Sequence, residues 1–273
     1  MARNSNPSVA IQLVLQDGPY DHLRARWEEI EALGADAIYV SDHFVALRSR
    51  GDESTYEAMT VLAALAEATE RVNIGTMVLG NSFRNPNLVA DMARTIDLIS
   101  GGRMVLGLGS GYVQEEYELY GYDYGTTGSR LRDLEAGLKT IAVRLPELKP
   151  PPLRKIPILI GGAGEKVTLR LAAQYADVWN ILASDPDVVA HKLAVLDDWC
   201  EQVGRDSTEI TRSAHVAYGE ETTIRDPNPF FELGCTEFVV ASGGPDWSLD
   251  TLRELLAWRD GLDRSGRPGA GKA

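Results

Sequence analysis

RVNIGTMVLGNSFRNPNLVADMARTIDLISGGRMVLGLGSG, residues 71–111, reads as strand, polar turn, capped helix, Gly-Gly stop, second strand and glycine-rich exit. Asn85-Pro86 supplies a cap and a first-turn proline. Leu88, Val89, Met92, Ile96 and Ile99 form the apolar stripe, and Gly101-Gly102 ends the helix. This is a βαβ unit with polar and glycine residues gathered where both strands end. In parallel α/β folds that end of the sheet binds ligands.

The same alternation runs through the chain. Short apolar runs predict strands at 9–15, 37–41, 73–79, 104–109, 156–160, 177–182, 212–218 and 237–241. Between them, Leu23, Trp27, Ile30 and Leu33 mark a helix stopping at Gly34, and Ser54-Thr55-Tyr56-Glu57 has capping-box spacing before Met59, Leu62 and Leu65. Later helices are predicted at 130–145, 165–175, 188–203 and 249–261. Eight strands with eight crossovers fit an α/β fold of the (β/α)8 TIM barrel type, a single domain over residues 1–263. A doubly wound open sheet is the alternative, but it normally stops at about five or six strands. The seventh crossover has only 219–233 available, with two prolines, and must be short or irregular. Residues 145–157 read as a loop feeding the fifth strand, and 264–273 as a flexible polar tail.

Composition narrows the function. A formal charge of −13 over 273 residues excludes the basic surface that a nucleic-acid binder needs, and disfavours anionic membranes. Cys200 and Cys235 have no CxxC partner or metal-ligand cluster. The N-terminus lacks a signal-peptide layout and no apolar run is long enough to span a membrane, so a cytoplasmic protein is expected. There is no G-x-S-x-G elbow, Walker loop or H-E-x-x-H.

In a barrel, function belongs to the residues after each strand. Here these are Asp42-His43-Phe44, Gly80-Asn81-Ser82, Ser110-Gly111-Tyr112, Gly161-Gly162-Ala163-Gly164 and Asn180. The 161–164 glycines before a helix read either as a phosphate cradle, with Lys166 adding charge, or as a tight strand-to-helix turn. Gly107–Ser110 followed by Gly111-Tyr112 fails the dinucleotide fingerprint, because its sixth position is Tyr112. Gly107 suits a small-residue layer inside the barrel. His43 at a strand exit can exchange a proton near neutral pH, or can be a buried histidine bonded to a neighbour. His22, His191 and His215 lack comparable context. An anion cradle without a metal site or nucleophile suits an enzyme whose reactive group belongs to a cofactor.

At YVSDHF (39–44), GTMVLGNSFRNPNLVADMARTIDLISGGR (75–103), VLGLGSG (105–111), ILIGGAGEKVTLRL (158–171), ADVWN (176–180) and LLAWRD (255–260), the chain resembles the luciferase-like monooxygenase superfamily. The likeness falls in the actinobacterial branch of oxidoreductases that use the deazaflavin coenzyme F420. The resemblance implies a (β/α)8 barrel, a homodimer, and a deazaflavin at the C-terminal ends of the strands. Asp42 would lie by the polar part of the ring. Gly80 and Asn81 would lie behind it, in a bulge that in relatives holds a non-proline cis peptide. Ser110, Gly111 and Glu115 would contact the ring or ribityl chain, and Gly162, Gly164, Glu165 and Thr168 would line the phosphate site.

In sugar-phosphate dehydrogenases of the family, the histidine matching His43 assists proton transfer while hydride passes to the deazaflavin. This chain departs from them at Tyr112, where they carry a catalytic glutamate, and at Leu47, where they carry a tryptophan. His43 and Tyr112 are therefore the candidate catalytic residues for an unidentified small organic substrate, and a sugar phosphate is not expected. Two alternatives stand beside this: an FMN-dependent monooxygenase, and a non-catalytic flavin or deazaflavin binder. The acidic tail of coenzyme F420 meets a chain of like charge, although a Debye length of about 8 Å limits that repulsion.

Overall fold

In the computed structural model, which describes residues 7–46, 54–183, 185–217 and 226–262, the apolar runs form parallel strands. These are β1 (Ser8–Val14), β2 (Ala37–Val40), β3 (Asn73–Thr76), β4 (Leu79–Gly80), β5 (Met104–Gly109), β6 (Ile158–Gly161), β7 (Val178–Leu182), β8 (Thr211–Ala217) and β9 (Glu237–Gly243). Their order is β3-β2-β1-β9-β8-β7-β6-β5-β4, and β3 also pairs with β5. β3 and β4 thus share one position in the ring, so the sheet closes as an eight-stave (β/α)8 barrel. The expected continuous strand at 73–79 is corrected: it breaks at Met77-Val78, where the peptide is cis. The break lies three residues before Gly80, so the bulge begins earlier than the sequence reading placed it.

The helices are α1 (Tyr20–Leu33), α2 (Ala58–Ala68), α3 (Pro86–Ile99), α4 (Gln114–Tyr120), α5 (Thr127–Glu147), α6 (Thr168–Tyr175), α7 (Pro186–Val203), α8 (Asn228–Glu232) and α9 (Asp250–Asp260). The Asn85 side chain accepts from Asn87 N–H, as its position before Pro86 predicts. Gly101 and Gly102 take φ of 68° and 88°, left-handed values that stop α3. Four local expectations are corrected. Glu57 itself caps α2, accepting from the backbone of Met59 and Thr60, while Ser54 Oγ is engaged by Gly18 N–H. α5 runs on through Pro146 to Glu147, shortening the loop read at 145–157. α6 starts at Thr168, three residues later than expected. α4 lies in a stretch with no predicted helix. The seventh crossover is short, its described part holding the five-residue α8.

Two apolar layers result. Leu23, Trp27, Ile30, Leu62, Leu65, Ala93 and Leu252 pack helices onto the outside of the barrel, while Ala10, Tyr39, Met77, Val105, Leu159, Val178 and Val239 fill its interior. That interior also holds a polar row. Tyr39 Oη donates to Glu237 Oε2 at 3.0 Å, and Asn180 Nδ2 donates to Ser213 Oγ at 2.8 Å. Asn180, Ser213 and Glu237 pair in register across β7, β8 and β9. Among the described residues no helix is long and apolar enough to cross a membrane, and no group of His, Cys, Asp and Glu is placed to hold a metal. Leu47 and the 264–273 tail lie outside the described residues.

Candidate active site

The C-terminal ends of the strands enclose a cavity of about 330 Å³, within the roughly 300–1,000 Å³ usual for small-molecule sites. Its base is the β3–β4 break. Val78 projects between β5 and β6, where a Cβ at Gly109 would lie 2.5 Å from Val78 Cγ2 and one at Gly161 would lie 3.1 Å from Val78 Cγ1. Gly109 is therefore needed for this branched side chain to sit where it does, and at Gly161 a side chain would crowd it. Met77, Val78, Gly80, Gly109, Gly161 and Phe83 give the cavity a largely apolar platform.

Two carboxylates organise the rim after β2. Asp42 takes a bidentate bond from Arg84, both contacts at 2.8 Å, and accepts Gly80 N–H at 2.9 Å. Arg84 also bonds Glu57 at 2.5 Å. Burial works to lower the Arg84 pKa, but the bonds to Asp42 and Glu57 outweigh it and hold the guanidinium charged. Asp42 borders the cavity, yet both of its oxygens are engaged in pinning the β4 turn to β2.

The second carboxylate is Glu116. Its Oε1 lies 3.1 Å from His43 Nδ1 and accepts Phe44 N–H at 2.6 Å. Its side chain is 2% exposed and that of His43 is 16% exposed. A carboxylate beside Nδ1 favours the tautomer that carries its hydrogen there, with the lone pair on Nε2. The Tyr112 ring meets the imidazole edge-on, with centroids 5.8 Å apart. Tyr112 is 63% exposed, a rim residue with no carboxylate to offer.

The predicted residues divide. His43, Tyr112, Asp42, Gly80, Ser110 and Gly111 line the cavity. Glu115 is exposed and outside it, and its neighbour Glu116 lines it instead. Asn81 is buried with its amide against α5, so that a Cβ on Gly137 would lie 2.1 Å from Asn81 Oδ1. Gly162, Gly164, Glu165 and Thr168 form the adjoining turn. Gly162 N–H is spent on Asn180 O at 3.1 Å, and Trp179 Nε1 donates to Gly162 O. Glu165 bonds Lys192 at 2.5 Å and His191 at 3.0 Å, which together lower its pKa. Lys166 is exposed.

The sequence reading passed over Gln12, Arg84, Glu116 and His215. Gln12 Nε2 donates to Met77 O, while its buried Oε1 has no hydrogen-bond partner. His215 lines the cavity from β8, and burial lowers its pKa to about 3, so the ring is neutral there. The alternation of Ser213 and His215 with the apolar Ala214 and Val216 along β8 was the available signal for an inward-facing histidine.

A family profile described as luciferase-like monooxygenase matches residues 2–223. An F420-dependent glucose-6-phosphate dehydrogenase of Microbacterium testaceum is 30% identical over 209 residues, covering 69% of this chain and 61% of the relative. One of Amycolatopsis mediterranei is 38% identical over 129 residues, covering 46% of this chain and 38% of the relative. The matches thus span less than two thirds of these relatives' own length. Among solved structures, an F420-dependent secondary alcohol dehydrogenase in complex with an F420-acetone adduct superposes with a TM-score of 0.79. The two share 17% identity, with 92% of this chain and 98% of that one covered. At that identity the likeness concerns the fold.

Proposed function

The chain belongs to the luciferase-like monooxygenase family, and from that premise we propose that it is a coenzyme F420-dependent oxidoreductase exchanging hydride with a small organic substrate. The observation that carries the reading is His43 held by Glu116 above a side-chain platform made of Val78 between Gly109 and Gly161. A flat tricyclic ring fits such a platform, because close backbone on both flanks leaves no Cβ to lift it. The dehydrogenases named above, which use this coenzyme, support the choice of deazaflavin over FMN.

A bound deazaflavin supplies the two-electron hydride chemistry. The residues of this chain supply the rest. Val78 and Gly80 support the ring, and Ser110 and Gly111 border it. The turn at Gly162, Gly164 and Thr168, leading into α6, is the assigned phosphate end; Gly162 N–H is taken by Asn180 O, so the donors would come from the N–H groups after it and the N-terminus of α6. Asp42 acts through Arg84 and Gly80 to hold the platform in place. His43 Nε2 takes the proton from a substrate hydroxyl, or returns it to a carbonyl, while Glu116 keeps Nδ1 protonated. Tyr112, with no carboxylate, closes the rim on the side where sugar-phosphate relatives place an acid.

The test is hydride exchange with oxidised and reduced coenzyme F420 against a panel of alcohols, ketones and sugar phosphates. We expect turnover with an uncharged compound, and its loss in His43→Asn. Unchanged turnover in that variant would remove the catalytic assignment, and a panel with no turnover in either direction would remove the enzyme reading.

A further inference from the structure

We infer that the side-chain oxygens of Gln12 and Asn180 form a pair of fixed acceptors on the cavity floor that reads an N–H donor on the ligand, the imide N–H of a deazaflavin ring. The inference rests on the deazaflavin reading above and adds what recognises the ring's polar edge.

The floor of a (β/α)8 barrel is ordinarily packed with branched apolar side chains. Here two carboxamides line it, from strands separated by β9 and β8: Gln12 on β1 and Asn180 on β7. Each is 6% exposed or less. An amide can turn over and exchange its donor for its acceptor, so what it shows a ligand depends on what holds its other half.

Gln12 is held by a backbone carbonyl. Met77 O only accepts, so it must face Nε2, and Oε1 is left as a buried acceptor without a partner. An unsatisfied buried acceptor costs about 1–3 kcal/mol, and it is retained where something else satisfies it. The carbonyl in question belongs to the peptide that starts the β3–β4 break, so the platform and the acceptor are built by the same residue.

Asn180 is held by a hydroxyl: its Nδ2 donates to Ser213 Oγ at 2.8 Å. The amide thus faces Ser213 with its N–H₂, and Oδ1 is the atom left for the cavity. Two amides with independent anchors present the same polarity.

Such a floor selects a donor. A ring whose edge carries only carbonyl oxygens would meet two acceptors and be disfavoured, whereas an imide N–H supplies the missing partner. Gln12 and Asn180 are specificity-determining residues for that edge, distinct from the His43–Glu116 pair.

The experiment is a fluorescence titration of the apoprotein with coenzyme F420 and with its imide N-methyl derivative, in the wild type, Gln12→Met and Asn180→Leu. The wild type is expected to bind the methylated coenzyme at least about tenfold more weakly. Gln12→Met should lose about tenfold in affinity for the parent and discriminate within about twofold, with Asn180→Leu moving in the same direction. Either variant binding the parent as the wild type does, with discrimination intact, overturns the inference. If a variant does not fold, hydrogen exchange of the imide proton in the wild-type complex replaces it: slowed exchange supports the acceptor pair, and exchange as fast as in free coenzyme overturns it. Absence of any binding to wild-type protein is a separate result, since it removes the deazaflavin reading itself.

Discussion

Glu116 Oε1 stands 3.1 Å from His43 Nδ1 and, through the same oxygen, 2.6 Å from Phe44 N. One carboxylate therefore orients the imidazole and fastens the loop that carries it. Glu116→Gln can keep Oε1 for Phe44 N–H, but it puts an N–H₂ donor in the place of Oε2, 3.3 Å from His43 Nδ1, where it competes with the proton that the carboxylate holds on that nitrogen. We expect turnover to fall by about a hundredfold while stability changes by about 1 kcal/mol or less. Steady-state kinetics beside a thermal melt checks this; equal losses in both would reduce Glu116 to a loop anchor.

Asp42 and Arg84 form a buried bidentate pair, with side chains 1% and 10% exposed. Removing one partner leaves the other charge desolvated and frees Gly80 N–H. Asp42→Ala should therefore cost about 3–5 kcal/mol, read by urea denaturation. A loss under about 1 kcal/mol would show that the pair behaves as a surface contact.

These two pairs mark where sequence was legible and where it stopped. The alternation of short apolar runs and capped helices is a local signal, and it sufficed for the barrel, for α3 with its Asn85 cap and Gly101-Gly102 stop, and for the strand ends that line the cavity. It did not separate Glu115 from Glu116. Which of two adjacent glutamates faces inward depends on the phase of α4, and five tyrosines between residues 112 and 124 obscured its period. Arg84, Gln12 and His215 were invisible for another reason. Their partners Asp42, Met77 and the cavity itself are distant in sequence, and only the pairing of strands brings them together. The capping box at 54–57 failed because Ser54 found a tertiary partner in Gly18, leaving Glu57 to cap alone.

His215 makes a pH prediction. Burial lowers its native pKa to about 3, below the ordinary histidine value of 6.5. Between those values the unfolded chain binds a proton that the native state excludes, so stability falls as pH falls through that window, by up to ~1.4 kcal/mol per pH unit. His215→Gln should flatten this part of the curve. Denaturant midpoints from pH 7 to pH 4 check it; an unchanged slope would mean that the native ring protonates readily.

Glu237 makes the opposite one. Burial raises its pKa, against the bonds from Ser213 and Tyr39. A raised native pKa means that its contribution is full below the ordinary carboxyl value of 4.5 and is lost as pH rises through the native value. Glu237→Gln should then gain on the wild type as pH rises from 4.5 toward neutrality. Melting temperatures of both proteins across that range decide it; a gap that narrows with rising pH would contradict the assignment of a reluctant buried acid.

The most direct test of the account is a parallel titration of the apoprotein with coenzyme F420 and FMN, followed by fluorescence. The Val78 platform, the His43–Glu116 pair and the turn leading into α6 predict saturable, one-to-one binding of coenzyme F420 at lower concentration than FMN. Tighter binding of FMN, or no binding of coenzyme F420, would contradict it.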